Sequence, residues 1–262
     1  MVLLNCVCSQ KSQMDKNVIH LYLSIILIFV ILSLVARPVP AEQMLILNTT
    51  FPYPISTNEQ TGFVDVVVQQ AFKRIGYGFK SVNLPAERAL RNANAGIDDG
   101  DLLRIGGLEK IYPNLIQVPE KIMDVEFSIF SKHNKLQIFK WSDLKTYTVA
   151  IITGWKILER NITDVVDLTK VNNADQLFSV LLKDRVDTIA YSRWVGLGYI
   201  KQNALKGIHI IRPPIAKRAM YVYLHKKHRA LVPKLAKALR SMKSDGSYKN
   251  IFNQILAPLE SK

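Results

Sequence analysis

The chain of 262 residues has 35 lysine and arginine residues against 21 aspartate and glutamate residues, and its formal net charge is +14 at pH 7. Its two cysteines, Cys6 and Cys8, both precede a long apolar run, which excludes a disulfide framework and a cysteine-based metal site from the rest of the chain. Residues 42–262 keep 32 basic and 20 acidic residues, a surplus that suits an anionic surface, an acidic ligand or a nucleic acid. No nucleic-acid recognition motif is present, so the last of these is disfavoured.

An uncharged apolar run occupies residues 18–36. Lys11 and Lys16 precede it, and Ala41 supplies the small residue of a cleavage site. The pattern predicts an export signal that is cleaved after Ala41, with Met14 as the alternative start, and a protein that works outside the cytoplasmic membrane. The other interpretation is a retained tether, because about 20 apolar residues span a bilayer.

Strand-like and helix-like segments alternate after this run, which is the pattern of an α/β protein. The predicted strands are 44–48, 79–82, 101–105, 127–133, 147–152, 188–191, 208–211 and 219–225. The predicted helices are 62–76, 85–96, 173–184, 192–204 and two that close the chain, with shorter helical segments at 141–145 and 153–161. The first helix has apolar residues at spacings of four, at Phe63, Val67, Ala71 and Ile75.

Several blocks of sequence, in one order, resemble a known family. They are TTFPYP (49–54), TGFVDVVVQQAFKRIG (61–76), WSDLKTYTVAIITGW (141–155), LLKDRVDTIAY (181–191) and the closing segment 224–252. Together they resemble the solute-binding proteins of bacterial ABC transporters, of the amino-acid-binding type (family 3). PAERALRNANAG, DGDLLRI and YPNLIQVPE resemble a subgroup of small stand-alone periplasmic proteins of the same fold.

The resemblance implies a type II periplasmic binding protein fold, in which a ligand lies in a cleft between two lobes. Lobe one would comprise residues 42–131 and 220–262, and lobe two residues 132–219. Two strands near 127–133 and 219–225 would cross between the lobes, and closure around a ligand would be a hinge motion at those strands.

Two aromatic residues, Phe51 and Tyr53, follow the first predicted strand in a proline-flanked loop. The family has its ligand-contacting loop at this point, so the resemblance implies that they stack on the ligand. The alternative is packing in the core or at the rim of the cleft. Arg88 opens the helix after Pro85, and it either points into the cleft or forms a surface ion pair.

Arg104 lies on a strand that is otherwise apolar, at Leu102, Leu103 and Ile105. A guanidinium grips a carboxylate through two parallel hydrogen bonds. The family holds its ligand carboxylate with an arginine in a nearby Thr-x-x-Arg turn, but residues 106–110 read GGLEK here. Arg104 is therefore predicted to substitute for that arginine, and the alternative is a structural ion pair.

The segment Thr153, Gly154 and Trp155 follows a buried strand at a helix start, where free N–H groups bind anions. It matches a ligand-binding Gly-Thr turn of the family, in altered order. Ser192 stands about where the amino-acid binders carry an aspartate for the ligand ammonium. That difference and the positive charge favour an anionic or neutral solute, with Trp194 as an apolar wall.

We interpret the chain as a periplasmic solute-binding protein that captures a small, carboxylate-bearing solute for an ABC permease or a membrane sensor. We expect a monomer without a cofactor, metal or nucleic-acid partner. The five histidines are scattered, and no catalytic motif is present, so an enzyme is not predicted. One alternative is an interaction protein that has lost its ligand and docks a membrane or protein through its basic surface. A cryptic hydrolase is the other.

Overall fold

One continuous mixed sheet of nine strands runs through the computed structural model of the protein, which describes residues 43–260. The strands are β1 (Met44–Thr49), β2 (Gly78–Asn83), β3 (Gly100–Ile105), β4 (Leu115–Gln117), β5 (Met123–Ser131), β6 (Thr148–Ile152), β7 (Asp167–Val171), β8 (Thr188–Ser192) and β9 (His209–His225). Their order is β2-β1-β3-β9-β5-β8-β6-β7, and β4 pairs with β9 outside this path. Strands and helices alternate along the chain, so the α/β prediction is confirmed.

Seven helices lie within residues 43–260. They are α1 (Phe63–Lys73), α2 (Ala86–Ala95), α3 (Lys156–Asn161), α4 (Ala174–Leu182), α5 (Arg193–Gln202), α6 (Val232–Ser244) and α7 (Ser247–Ile255). Short 3₁₀ turns lie at Leu108–Lys110, Trp141–Thr146, Lys226–Leu231 and Ala257–Leu259. The apolar stripe of α1 is buried as its spacing predicts, since Phe63, Val67 and Ala71 have no exposed surface.

Three strands differ from the sequence prediction. β4 and β7 were not predicted, because β4 has only three residues and β7 is largely polar, so their pairing partners β9 and β6 define them. β9 is one strand of 17 residues where two short strands were predicted. Pro213 and Pro214 lie in its middle, and the backbone remains extended through them because β5 runs beside both halves.

Two sets of parallel strands lie at opposite ends of the sheet. β1 pairs in parallel with β2 and β3, and β6 pairs in parallel with β7 and β8. The long antiparallel strands β5 and β9 join the two sets. Each parallel set thus forms the centre of one lobe, and the carboxyl ends of its strands are the usual location of a ligand site.

The ladder between β5 and β9 is interrupted in its middle. On one side the pairing runs from Met123 with Met220 to Phe127 with Ala216, and on the other it resumes at Ile129 with Ile211. A single residue of β5, Ser128, therefore lies opposite residues 212–215 of β9. The two strands are continuous, but the hydrogen-bonded register on one side does not carry over to the other.

The buried carboxylate of Asp65 fixes the loop that follows β1. It accepts hydrogen bonds from the Ser56 hydroxyl at 2.7 Å, the Thr57 N–H at 2.8 Å and the Gly62 N–H at 3.2 Å. Burial raises the pKa of this carboxyl, and the same donors partly oppose that rise. The loop carrying Phe51 is thereby held to the first turn of α1.

A second carboxylate, Asp99, ties β1 to the turn after β9. It accepts a hydrogen bond from the Ile46 N–H at 2.9 Å and lies 2.9 Å from the Lys227 ammonium and 2.6 Å from Nε2 of His228. Burial alone would raise the pKa of Asp99, but these donors outweigh it and hold the pKa below the ordinary value of 3.8.

We expect an Asp99→Asn variant to lose about 2 kcal/mol of unfolding free energy at neutral pH, because charge-assisted hydrogen bonds are replaced by neutral ones. A carboxyl whose folded-state pKa is depressed stabilises the fold above its unfolded pKa, and it loses that contribution as the pH falls through the folded pKa. The difference from the wild type should therefore shrink below about pH 3.8. Urea unfolding at several pH values measures this. The matched control is Asp164→Asn at an exposed position; an equal loss there would contradict the prediction.

Between residues 43 and 260 the structure has no helix that is long and apolar enough to cross a membrane. The predicted export signal, its cleavage site after Ala41 and the alternative start at Met14 lie outside the described residues.

Candidate functional site

Four aromatic side chains from four separate elements meet where the lobes join. Trp155, in the turn after β6, packs against Phe51 at 6.0 Å between ring centroids, Phe127 at 5.9 Å and Tyr191 at 5.0 Å. We call Phe51, Phe127, Trp155 and Tyr191 the aromatic cluster. Phe51 follows β1 in lobe one, Phe127 lies on β5, and Tyr191 is near the carboxyl end of β8. The cluster thus contains one residue from lobe one, two from lobe two and one from a connecting strand.

The aromatic cluster offers an apolar wall with two polar groups, the Trp155 indole N–H and the Tyr191 hydroxyl. Tyr191 is buried, and burial raises the pKa of its hydroxyl well above the ordinary value, so the phenol stays protonated. Phe51 and Trp155 are only half-buried. Offset and edge-on ring contacts of this kind contribute about 0.5–1.5 kcal/mol per pair beyond their buried area. The two half-buried rings form the part of the cluster that a solute could reach.

The turn before α3 was predicted to offer a free N–H to an anion, and that N–H already has a carboxylate partner. Gly154 has a positive φ of 91°, and its N–H donates to Oε1 of Glu159 at 2.8 Å. Lys156 donates to the other oxygen of Glu159 at 2.8 Å. The hydrogen bond from Lys156 is the main cause that lowers the pKa of Glu159, followed by that from Gly154. Thr153 is exposed, and its N–H donates to the Val171 carbonyl.

Arg104 pairs with a carboxylate of its own strand. Its guanidinium lies 2.9 Å from Oδ2 of the buried Asp101 and donates to the Ala86 carbonyl at 3.2 Å. This is the structural ion pair that the sequence left open as the alternative. Burial raises the pKa of Asp101, and the Arg104 charge opposes that rise.

Three buried polar atoms near this pair have no hydrogen-bond partner among the described residues. They are Nε of Arg104, Oδ1 of Asp101 and Oδ1 of Asn48. Asn48 lies beside Asp101 in the register of β1 and β3, and its amide nitrogen donates to the Ala89 carbonyl and to Asp98. The carboxyl edge of the lobe-one strands therefore has two hydrogen-bond acceptors and one donor that could each still form a hydrogen bond.

Of the remaining predicted site residues, Ser192 lies beside the aromatic cluster, and within residues 43–260 no ring contact joins Tyr53 or Trp194 to it. Ser192 is buried and pairs with Phe127 in the sheet. The Tyr53 ring packs on Gly198 of α5, where an added Cβ would lie 3.1 Å from two ring carbons. Trp194 is buried against Phe252 of α7, with 5.5 Å between ring centroids.

The Arg88 side chain is exposed and makes no hydrogen bond or ion pair within residues 43–260. Its neighbour Glu87 pairs with Arg91 at 3.7 Å instead. The ligand roles assigned to Arg88, Tyr53 and Trp194 remain predictions.

The sequence analysis missed an ion-pair network beside the interrupted ladder. Arg193 pairs with both Glu126 and Glu260, while Lys217 lies 2.8 Å from Glu126 and Arg212 lies 3.2 Å from Glu260. A surface cavity of about 460 Å³ adjoins it, lined by Ser128, Arg193, Ile210, Arg212, Pro213 and Pro214. Among the described residues no group of histidines, cysteines and carboxylates could hold a metal ion.

Comparisons with known proteins agree on the fold. The chain superposes on an ancestral arginine-binding protein bound to glutamine with a TM-score of 0.66, 22% identity and coverage of 82% of this chain and 98% of the other. It matches the GluR0 ligand-binding core in complex with L-glutamate with a TM-score of 0.71, 13% identity and coverage of 83% and 99%. The substrate-binding protein AbpA of Streptococcus pneumoniae, bound to L-arginine, gives a TM-score of 0.66, 12% identity and coverage of 84% and 97%.

Sequence comparison adds one relative of unassigned function. An uncharacterised protein of Shewanella oneidensis is 25% identical over 205 residues, which cover 76% of this chain and 77% of the relative. No known protein-family model matches the chain. The superpositions, with the two parallel strand sets joined by β5 and β9, show that the chain has the two-lobed type II periplasmic binding protein fold.

Proposed function

We propose that the protein is a periplasmic solute-binding protein that captures a small solute at the aromatic cluster and supplies it to an ABC transporter or a membrane sensor. The observation that carries this proposal is the meeting of Phe51, Phe127, Trp155 and Tyr191 from both lobes and a connecting strand. Small-molecule sites are mostly apolar and aromatic with a few placed polar groups. The named structures of the same fold bind amino acids, which supports a solute of that size.

The solute is proposed to carry a carboxylate. The basic surplus of residues 42–262 favours an anion, and the ligands in the compared structures are amino acids. The N–H of Gly154 already accommodates a carboxylate, that of Glu159, at 2.8 Å. A solute carboxylate would replace Glu159 at this N–H, and Glu159 would keep its pairing with Lys156. The lobe boundaries at residues 131 and 219, export to the periplasm and a monomeric state belong to the same proposal.

Ligand-dependent stabilisation tests the proposal. A panel of amino acids, dicarboxylates and small peptides is added to the protein during thermal unfolding. A solute present at about 100 times its Kd should stabilise the folded state by about 2.7 kcal/mol. A panel in which no compound raises the melting temperature would contradict solute binding.

Tryptophan fluorescence then locates the binding. The chain has three tryptophans, of which Trp155 alone belongs to the aromatic cluster. We expect a stabilising solute to change the emission of the wild type and of a Trp141→Phe control, and to leave the emission of Trp155→Phe nearly unchanged. A response that persists in Trp155→Phe would place the solute elsewhere and refute the site while leaving binding itself established.

A further inference from the structure

Acidic residues are absent from a long stretch of the chain. Residues 188–244 contain no aspartate or glutamate, and they carry 13 lysine and arginine residues. The remainder of residues 42–262 has 19 basic and 20 acidic residues, so it is close to neutral. The positive surplus of this part of the protein therefore comes from one segment.

About half of these cations are paired with carboxylates from other parts of the fold. The paired ones are Arg193, Arg212, Lys217, Lys227, Arg240 and Lys243. Four others, Lys226, Arg229, Lys234 and Lys237, are exposed, and no carboxylate within residues 43–260 forms an ion pair with them. We call these four residues the basic stripe. Their charges are available to an external partner.

The fold places the basic stripe on the outer surface of lobe one. Helix α6 buries one face, with Leu235, Leu239 and Met242 in the core. Lys234 and Lys237 lie one turn apart on the other face, which is exposed to solvent. Lys226 and Arg229 are exposed in the 3₁₀ turn that leads into α6.

The two elements that carry the basic stripe, α6 and the 3₁₀ turn before it, expose no large apolar side chain. A specific protein partner usually buries aromatic or aliphatic anchors at the centre of its interface. Three of the four residues are lysines. A lysine ammonium is a point charge on a flexible side chain, which suits a diffuse negative surface, whereas an arginine guanidinium suits a single carboxylate or phosphate held by two hydrogen bonds.

We propose that the basic stripe docks the protein on the anionic headgroups of a lipid bilayer. The attraction is Coulombic, so it needs no pocket and no ordered contact. Each lysine or arginine held near an anionic bilayer strengthens binding about fivefold, and the effect decays within the Debye length. Lobe one would then face the membrane through α6. This interaction does not depend on the solute proposed above.

Vesicle binding tests this docking on the full chain. Vesicles of pure phosphatidylcholine are compared with vesicles that contain about 30% phosphatidylglycerol, at about 50 mM salt. Any contribution of the apolar run 18–36 is common to both lipids, so the ratio of the two affinities reports the headgroup charge. We expect the wild type to bind the anionic vesicles at least about tenfold more tightly, and about 500 mM salt to remove that preference.

Two quadruple variants of equal net charge distinguish the effect of the basic stripe from the effect of the overall charge. The stripe variant is K226Q/R229Q/K234Q/K237Q, and the matched control is K145Q/K170Q/K183Q/K206Q, four exposed lysines on lobe two. We expect the stripe variant to lose the preference for anionic vesicles and the control to keep most of it, with unchanged circular dichroism in both. An equal loss in both variants, or no preference in the wild type, would overturn the proposal. Tighter binding to an acidic peptide or an oligonucleotide, in competition with the vesicles, would overturn the assignment to lipid.

Discussion

A Gly100→Ala variant is expected to lose about 3 kcal/mol or more of unfolding free energy, because overpacking against a backbone cannot be relieved by a rotamer change. A Cβ on Gly100 would lie 2.1 Å from the carbonyl oxygen of Tyr223 and 3.1 Å from the Cα of Leu224, both on the neighbouring strand β9. To admit a methyl group, β3 and β9 would have to separate at the pair formed by Gly100 and Leu224. Urea unfolding followed by circular dichroism measures the loss.

The matched control for this variant is Gly76→Ala. Gly76 has a positive φ of 80° and no atom within 4 Å of the added Cβ, so only backbone strain opposes alanine there. That strain costs about 1–2 kcal/mol. The two variants thus distinguish a steric clash with the neighbouring strand from strain in the backbone conformation. A smaller loss of unfolding free energy at Gly100 than at Gly76 would show that β3 and β9 can separate easily.

A Trp155→Ala variant is expected to lose about 3 kcal/mol of unfolding free energy, because it removes the shared contact of Phe51, Phe127 and Tyr191 and leaves a cavity among them. It should also abolish the stabilisation that any bound solute provides. Trp141→Ala is the control, since Trp141 is also half-buried but makes no ring contact within residues 43–260. Thermal and urea unfolding, with and without solute, give both quantities.

Indole offers a direct check on the cavity. Apolar cavities bind apolar molecules of matching shape. We therefore expect added indole to raise the melting temperature of Trp155→Ala and to leave that of Trp141→Ala unchanged. If Trp155→Ala loses no stability and indole does not raise its melting temperature, the other three rings of the aromatic cluster have closed the space that the indole ring occupied.

The fold was largely predictable because it rests on local patterns. Phe63, Val67 and Ala71 are four residues apart, and this spacing predicted the buried face of α1. The alternation of strand-like and helix-like segments predicted the fold class. β4 and β7 could not be predicted in the same way. Pairing with β9 and β6, which lie far away in the sequence, is what makes those short or polar segments strands.

The surroundings of Arg104 were not predictable from its strand. Residues three apart on a regular strand point to opposite faces, so Asp101 was not an expected partner. The register of β3 against β9 shifts between the two, since Asp101 pairs with Tyr223 and Arg104 with Tyr221. This irregularity brings both side chains to one face. A bulge of this kind depends on the partner strand, and a single-chain pattern does not reveal it.

The aromatic cluster was half predicted. Phe51 and Trp155 were identified because each follows a strand at a position where the family contacts its ligand. Phe127 and Tyr191 lie in predicted strands and were not named as ligand contacts. The carboxyl-end position of Tyr191 was the available signal, because parallel strands bring their carboxyl ends to one edge. The contact between Glu159 and Gly154 spans five residues, and the acidic first turn of α3 was a local indication of it.

The interrupted ladder between β5 and β9 determines where the chain would bend if the lobes closed on a solute. Residues 212–215 of β9 lie opposite Ser128 alone. The rings of Pro213 and Pro214 fix φ, but the remaining torsions of this stretch can change without sliding either hydrogen-bonded segment. A reorientation of one lobe against the other would be absorbed by these four residues. Pro213 and Pro214 have no amide proton, so Arg212 and Ile215 are the two reporters in this stretch. Their amide protons should exchange with solvent faster than those on either side, and solute binding should slow that exchange. The resulting protection pattern would report lobe closure directly from the strand that joins the lobes.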